Sequence, residues 1–222
     1  MVNPDLQTLF FYYFVKPNRY STASNIGTIY ELLGDNKKAL LWINRALQIN
    51  SKSHNGSEWL HIKILQAKIG GEKYISSNFL INTDFGENNE PKSKMSKSDM
   101  ETLIKSLYYQ LNERISFIKS EDKIIGLLLF ELGNLAVLDK KYDDAIYIYE
   151  KAGDYGFKNE ILNRRIDYAN WKVNDKFYSQ INNLNAINEY HKKLFVITFI
   201  TASLVIIILL VIIFRLRKNK KI

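Results

Sequence analysis

The hydrophobic pattern of the chain changes near residue 194. Before this point apolar residues recur at helical spacing among polar ones, as at Ile26, Ile29 and Leu33. Apolar positions three and four residues apart share one face of an α-helix, so this spacing predicts amphipathic helices. Residues 194–214 carry no charge, and at about 1.5 Å per residue a helix of this length matches a bilayer core. The pattern therefore predicts a helical domain followed by one transmembrane helix.

Breaks in the pattern divide the rest of the chain. A glycine pair and a long polar run predict a loop insertion at about 70–98. Residues 174–193 are rich in asparagine and predict a stalk beside the membrane, and residues 215–222 form a basic tail. The stalk carries a short apolar stripe; a stripe of this length more often packs on its own domain or frays, and weak self-association is the alternative. The stripe contains Phe177, Ile181, Leu184 and Ile187.

Two stretches of the helical domain, residues 20–53 and 126–159, share the positions of their small residues. Small residues allow two helices to cross closely, so each stretch predicts a helical hairpin. In the first stretch Gly34 is placed to end one helix and Asp35 to cap the next. The shared small residues are Gly27, Ala39 and Ala46 in one stretch and Gly133, Ala145 and Ala152 in the other.

This pattern resembles the 34-residue tetratricopeptide repeat. The resemblance implies an all-α, TPR-like solenoid of helical hairpins over residues 20–173. Residues 1–19 would be the second helix of a preceding, partial repeat, which favours a start upstream of Met1. Members of this family bind peptides in a groove lined by the first helices of successive repeats. By family position the groove here would be lined by Ser24, Thr28, Glu31, Phe130, Asn134 and Val137.

The distribution of charged residues bears on two questions: whether the chain binds nucleic acid, and which way it is oriented in the membrane. The net charge is +8, but five of the 31 basic residues follow the apolar run, and the remaining 26 face 23 acidic residues. Most of the excess positive charge therefore lies directly after the predicted transmembrane helix, and no nucleic-acid partner is expected. The basic tail predicts a cytoplasmic C-terminus, with the domain on the opposite, periplasmic or exterior side. Because the first residues do not resemble a signal peptide, a tail-anchored protein with a cytosolic domain is the alternative.

Candidate chemistry is sparse. The chain has no cysteine, which excludes disulfides, thiolate metal sites and cysteine nucleophiles. It also lacks the common zinc, nucleotide and serine-hydrolase motifs. Glu58 and His61 share a helix face at a spacing that can bind a metal, but a packed or surface histidine is the commoner outcome. We therefore expect no catalytic residue, cofactor, metal or small-molecule substrate, and a protein that is not an enzyme.

Together these features predict a single-pass membrane protein whose TPR-type domain is an interaction scaffold. Its partners would be the lipid bilayer, through residues 194–214, and a protein or peptide of unknown identity held in the groove. The alternative is an architectural subunit of a membrane complex, assembled through the stalk and the transmembrane helix.

Overall fold

The computed structural model describes Thr8, Phe11, Tyr13, Val15 and Lys16 and residues 19–118 and 121–219. Within these ranges it describes only the backbone of Ser53, Asn55, Leu204, Val205 and residues 207–219. Most of the partial repeat predicted at residues 1–19 therefore lies outside the described residues, as do the side chains of the basic tail.

All regular secondary structure in the described residues is helical, which confirms the predicted all-α class. Two 3₁₀ helices, Ser53–Gly56 and Glu72–Tyr74, accompany the α-helices of the described chain. The α-helices are α1 (Tyr20–Leu32), α2 (Asn36–Ile49), α3 (Glu58–Gly70), α4 (Ser77–Ile81), α5 (Lys97–Phe117), α6 (Lys123–Leu138), α7 (Tyr142–Asp154) and α8 (Glu160–Asn219).

The first hairpin is built from α1 and α2. Gly34 lies in the turn with a φ of +80°, a conformation that glycine adopts without a Cβ clash. Asp35 caps α2, because its Oδ1 accepts a hydrogen bond from the Lys38 N–H at 3.1 Å. The structure confirms the predicted capping role of Asp35.

A second hairpin, formed by α6 and α7, has the same crossing contact as the first. A Cβ on Gly27 would lie 2.6 Å from Ile43 Cδ1, and a Cβ on Gly133 would lie 2.5 Å from Tyr149 Cδ1. In both hairpins a glycine on the first helix thus admits a large side chain 16 residues later. Both large side chains are fully buried. The two sequence stretches therefore fold into hairpins with equivalent contacts.

The segment between the hairpins is more ordered than a plain loop. Helix α3 packs on α2, and α5 packs on both α3 and α6. The segment predicted as an insertion contains the short helix α4, which packs on α6. Its apolar residues Leu80, Ile81 and Phe85 are buried in the main core. The insertion is therefore part of the folded domain.

The start of α8 completes the domain. Ile161, Leu162 and Ala169 are buried in the main core. The fully buried Arg165 donates from Nη2 to the backbone oxygens of Phe85 at 3.3 Å and Gly86 at 2.5 Å. This arginine therefore ties α8 to the insertion at Phe85 and Gly86.

The chain divides into two compact units, Met1–Trp171 and Lys172–Ile222. The second unit contains the predicted stalk, which is helical throughout. Within the part of the chain that the structure describes, no helix is both long and apolar enough to cross a bilayer. Ten side chains of the predicted span, those of Leu204, Val205 and residues 207–214, lie outside the described residues. The transmembrane helix therefore stays a prediction from the sequence.

Candidate functional site

A cavity of about 170 Å³ opens between α1, α3 and α5 in the first unit. Its mouth is apolar, because Leu32 and Phe117 are 54% and 56% exposed there. Its inner wall is charged. The lining residues are Thr28, Glu31 and Leu32 from α1, His61 and Lys68 from α3, and Glu113, Arg114, Phe117 and Ile118 from α5 and the residue after it.

Helical spacing places these side chains together. Thr28 and Glu31 lie three residues apart on α1, and His61 and Lys68 lie seven apart on α3. Residues at these separations share one face of a helix. Since three such faces meet here, residues distant in sequence line a single cavity.

The inner wall is organised around the Glu31 carboxylate, whose side chain is only 9% exposed. Oε1 accepts a hydrogen bond from Lys68 Nζ at 2.8 Å. Oε2 lies 2.6 Å from His61 Nε2 and 3.4 Å from Arg114 Nη2. Burial alone would raise the pKa of this carboxyl, but the Arg114 guanidinium, the His61 hydrogen bond and the Lys68 charge hold it well below its usual range.

A second buried carboxylate lies on the far side of His61. His61 Nδ1 is 3.5 Å from Glu58 Oε2, and His54 Nδ1 is 2.6 Å from Glu58 Oε1. The Tyr20 hydroxyl also donates to Glu58 Oε1. Burial works to raise the pKa of Glu58, but the hydrogen bonds to His54, His61 and Tyr20 lower it below its usual range. Carboxylates and imidazoles thus alternate from the cavity wall into the protein.

Helix α5 is tied to this network through Gln110. Arg114 Nη1 donates to Gln110 Oε1 at 2.5 Å, and Gln110 Nε2 donates to Ser57 Oγ at 3.0 Å. The Ser57 hydroxyl in turn donates to the His54 backbone oxygen at 2.7 Å. Because this hydroxyl donates to a carbonyl oxygen and not to an imidazole, it is not activated as a nucleophile. The network holds three helices in register.

The network predicts how the free energy of unfolding depends on pH. The folded-state pKa values of Glu31 and Glu58 are lowered, so their contribution is present above the ordinary value of about 4.3 and is lost as the pH falls. The pKa of His54 is raised, mainly by its hydrogen bond to Glu58. Its contribution is therefore present below about pH 6.5 and is lost as the pH rises through the folded-state pKa. We expect the combined contribution to be greatest between about pH 4.5 and 6.5.

Urea unfolding of the full chain in detergent, measured in steps of pH and followed by tryptophan fluorescence, tests this expectation. The His54→Gln variant should lose less stability than the parent as the pH rises above 6.5 and should keep the acid-side loss. Parallel pH profiles for parent and variant on the alkaline side would contradict the assignment to His54.

The groove residues predicted by family position fall into two groups. Thr28 and Glu31 line the cavity, and Ser24, on the same helix, is buried. Phe130, Asn134 and Val137 on α6 do not line it and are only 5%, 1% and 5% exposed. The structure does not bring the two groups to one site.

Side-chain contacts account for the burial of two of the three α6 residues, Phe130 and Asn134. The ring of Phe130 stacks on Phe157 at a centroid distance of 4.3 Å. Asn134 donates to Glu131 Oε2 at 2.8 Å and accepts from the Tyr149 hydroxyl at 2.7 Å. The Ser77 hydroxyl of α4 donates to the other oxygen of Glu131. The insertion thus packs on the helix from which half of the groove was expected.

Other cavity residues were not predicted from the sequence. For His61 the sequence offers metal binding or, as the commoner outcome, a packed or surface position. The structure buries His61, and among the described residues no group of acidic and histidine side chains is arranged to hold a metal ion. Neither Lys68 nor Arg114 is among the residues predicted for the site. The available signal was polar side chains on otherwise apolar helix faces, at His61 and Lys68 on α3 and at Gln110 and Arg114 on α5.

The sequence was compared with models of known protein families and with curated proteins. It matches no family model and no curated protein.

Proposed function

We propose that this chain is a membrane-anchored, TPR-like scaffold that binds a peptide segment by taking one apolar side chain into the cavity between α1, α3 and α5. The observation that carries the proposal is a cavity with an exposed apolar mouth and a buried, internally paired ionic wall. The C-terminal apolar run would hold this site at a membrane surface, with the basic tail on the other side.

The size of the cavity limits what it accepts. An apolar cavity of about 150 Å³ in another protein holds one benzene molecule. A volume of about 170 Å³ therefore suits one aromatic or branched aliphatic side chain and not a whole cofactor. Leu32 and Phe117 at the mouth would contact the residues flanking that side chain. The chemical class of the partner is thus a peptide with a single apolar anchor.

The charged wall supports binding more than catalysis. Both oxygens of Glu31 are already occupied by Lys68, His61 and Arg114. Such a carboxylate is poorly placed to act as a base, because its proton acceptor sites are taken. The charged groups of this wall are already paired with one another before a ligand binds. They therefore need little reorganisation on binding, which favours affinity.

The hairpins support the TPR-like part of the proposal. The equivalent contacts Gly27–Ile43 and Gly133–Tyr149 are what repeated helical hairpins require. Helices α1 and α3, the first helices of two successive hairpin positions, both contribute to the cavity. In the tetratricopeptide family such helices line the peptide groove, so the contribution of α1 and α3 to the cavity supports a peptide-binding role.

Selection from a random peptide library, using the full chain in lipid vesicles and empty vesicles as background, tests the proposal. We expect enriched peptides to share one apolar residue. Leu32→Ser and Phe117→Ser should each weaken their binding by about tenfold or more, as loss of a buried interface anchor does. Fluorescence polarisation with the resynthesised peptides measures this change.

Leu41→Ser is the matched control, because Leu41 is 65% exposed on α2 outside the cavity. This variant should bind within about twofold of the parent. Enrichment no better than empty vesicles, or equal affinity in the parent, Leu32→Ser and Phe117→Ser, would contradict the proposal.

A further inference from the structure

The helical stalk in the second unit has an apolar face that is exposed to solvent. Every residue from Asn174 to Ala202 is exposed. Five of the twenty residues at 174–193 are asparagine, which is a weak helix former. Helices in proteins gain most of their stability by packing an apolar face against another surface. A continuous helix that is rich in asparagine therefore needs such a surface to be stable.

The exposed residues follow a seven-residue pattern. Successive steps of four and three residues connect six side chains, and such steps alternate between the a and d positions of a heptad. Four of the six are apolar, and they are 36% to 70% exposed. We call this set the stalk seam: Phe177, Ile181, Leu184, Asn188, His191 and Phe195.

Charged residues avoid the stalk seam. Residues 172–193 contain six charged side chains, and five of them occupy the b, c and f positions on the opposite side of the helix. The sixth, Lys192, lies at an e position beside the seam. An apolar seam without charge fits a surface of the same kind and not an anionic headgroup layer or an acidic protein. The five outward residues are Lys172, Asp175, Lys176, Glu189 and Lys193.

The chemistry of the stalk seam specifies which partner covers it. Ile181 at an a position followed by Leu184 at a d position favours two parallel strands. Asn188 at the next a position carries both donors and an acceptor, so two copies in register satisfy each other's amides across a twofold axis. A different protein would need an amide side chain opposite Asn188 on an otherwise apolar helix face. A second copy of this chain supplies one.

We propose that Asn174–Phe195 of α8 pairs with the same segment of a second copy in a parallel, in-register, two-stranded coiled coil. Asn188 fixes the register, and the apolar members of the stalk seam supply the buried surface. An anchor in the same membrane would hold both copies parallel and raise their effective concentration. The pairing does not depend on peptide binding at the cavity.

The absence of native cysteine makes the register directly measurable. Single replacements Ile181→Cys and Leu184→Cys place a thiol in the stalk seam and leave Asn188 intact, and Asn183→Cys and Glu189→Cys place one on the outward side of the helix. Disulfide formation requires Cβ atoms about 3.5–4.5 Å apart, and in the proposed pair seam positions come far closer to this distance than outward positions do. In full-chain protein in dilute detergent micelles, we expect the seam variants to cross-link about tenfold faster than their neighbours under mild oxidation.

A second measurement separates pairing of the stalk from pairing of the apolar run beyond it. Light scattering of the full chain in micelles should give two copies. Leu184→Asp should give one copy, and the matched outward variant Asn183→Asp should still give two. Circular dichroism should show both variants still helical over the first unit.

Several results would overturn the proposal. These are a single copy in the parent, two copies in Leu184→Asp, equal cross-linking rates at seam and outward positions, or faster cross-linking at the outward ones. Disulfides that form only between Phe177→Cys and Phe195→Cys chains mixed together would demonstrate an antiparallel pair and would also overturn it.

Discussion

Replacing Glu31 with leucine is expected to lower the free energy of unfolding by about 3 to 5 kcal/mol, the usual cost of removing one partner from a buried ionic group. Glu31 is the common partner of Lys68, His61 and Arg114. The Arg114 side chain is 6% exposed, so without Glu31 its charge would be buried with no other ion-pair partner among the residues that the structure describes. Urea unfolding of the full chain in detergent, followed by tryptophan fluorescence, measures the loss.

The double variant Glu31→Leu with Arg114→Met identifies the cause. Removing the second charge as well leaves no unpaired charge of that pair, so the double variant should be more stable than Glu31→Leu alone. Glu150→Leu on the exposed face of α7 is the surface control and should change stability by no more than about 0.5 kcal/mol. A double variant that loses the sum of the two single losses would show that packing, not charge, explains the effect.

Gly133→Ala is expected to destabilise the α6–α7 hairpin by about 1 to 3 kcal/mol, because overpacking a filled interior forces neighbouring groups to move. The new Cβ would lie 2.5 Å from Cδ1 and Cε1 of Tyr149. That ring cannot easily withdraw, since Tyr149 is fully buried and its hydroxyl is hydrogen-bonded to Asn134. The same urea experiment measures the change.

Gly153→Ala is the matched control, because a Cβ there meets only Leu162 Cδ2, at 3.5 Å. Alanine is a better helix former than glycine by about 1 kcal/mol in a helix interior, so near the end of α7 this variant should be neutral or slightly stabilising. Equal stability of the Gly133→Ala and Gly153→Ala variants would mean that the two helices do not approach closely at Gly133.

The hairpins could be predicted from the sequence because their determinants are local. Gly34 and Asp35 act on backbone groups within a few residues, and the Gly27–Ile43 contact joins neighbouring helices. The spacing of residues along the sequence is enough to predict contacts of this kind. The spacing of the apolar residues in the stalk is local in the same way, although the stripe predicted from the sequence includes Ile187 where the heptad pattern places Asn188.

The candidate site could not be predicted in the same way. Glu31 and Arg114 are 83 residues apart and meet only because α5 returns to α3 after the insertion. The helical spacing of Glu58 and His61 was visible, but their burial depends on that return. The groove residues on α6 were assigned by family position. Nothing in the residue pattern predicted that α4 would pack on α6.

The contact between Arg165 and the insertion determines when the domain can be completed during synthesis. Arg165 binds the backbone oxygens of Phe85 and Gly86, about 80 residues earlier in the chain. The ribosome releases the insertion well before it releases this arginine, and contacts of long sequence separation form late. Residues around Phe85 therefore gain their contact with Arg165 only after α8 has begun to emerge, and a chain stopped before Arg165 would lack both hydrogen bonds to the insertion.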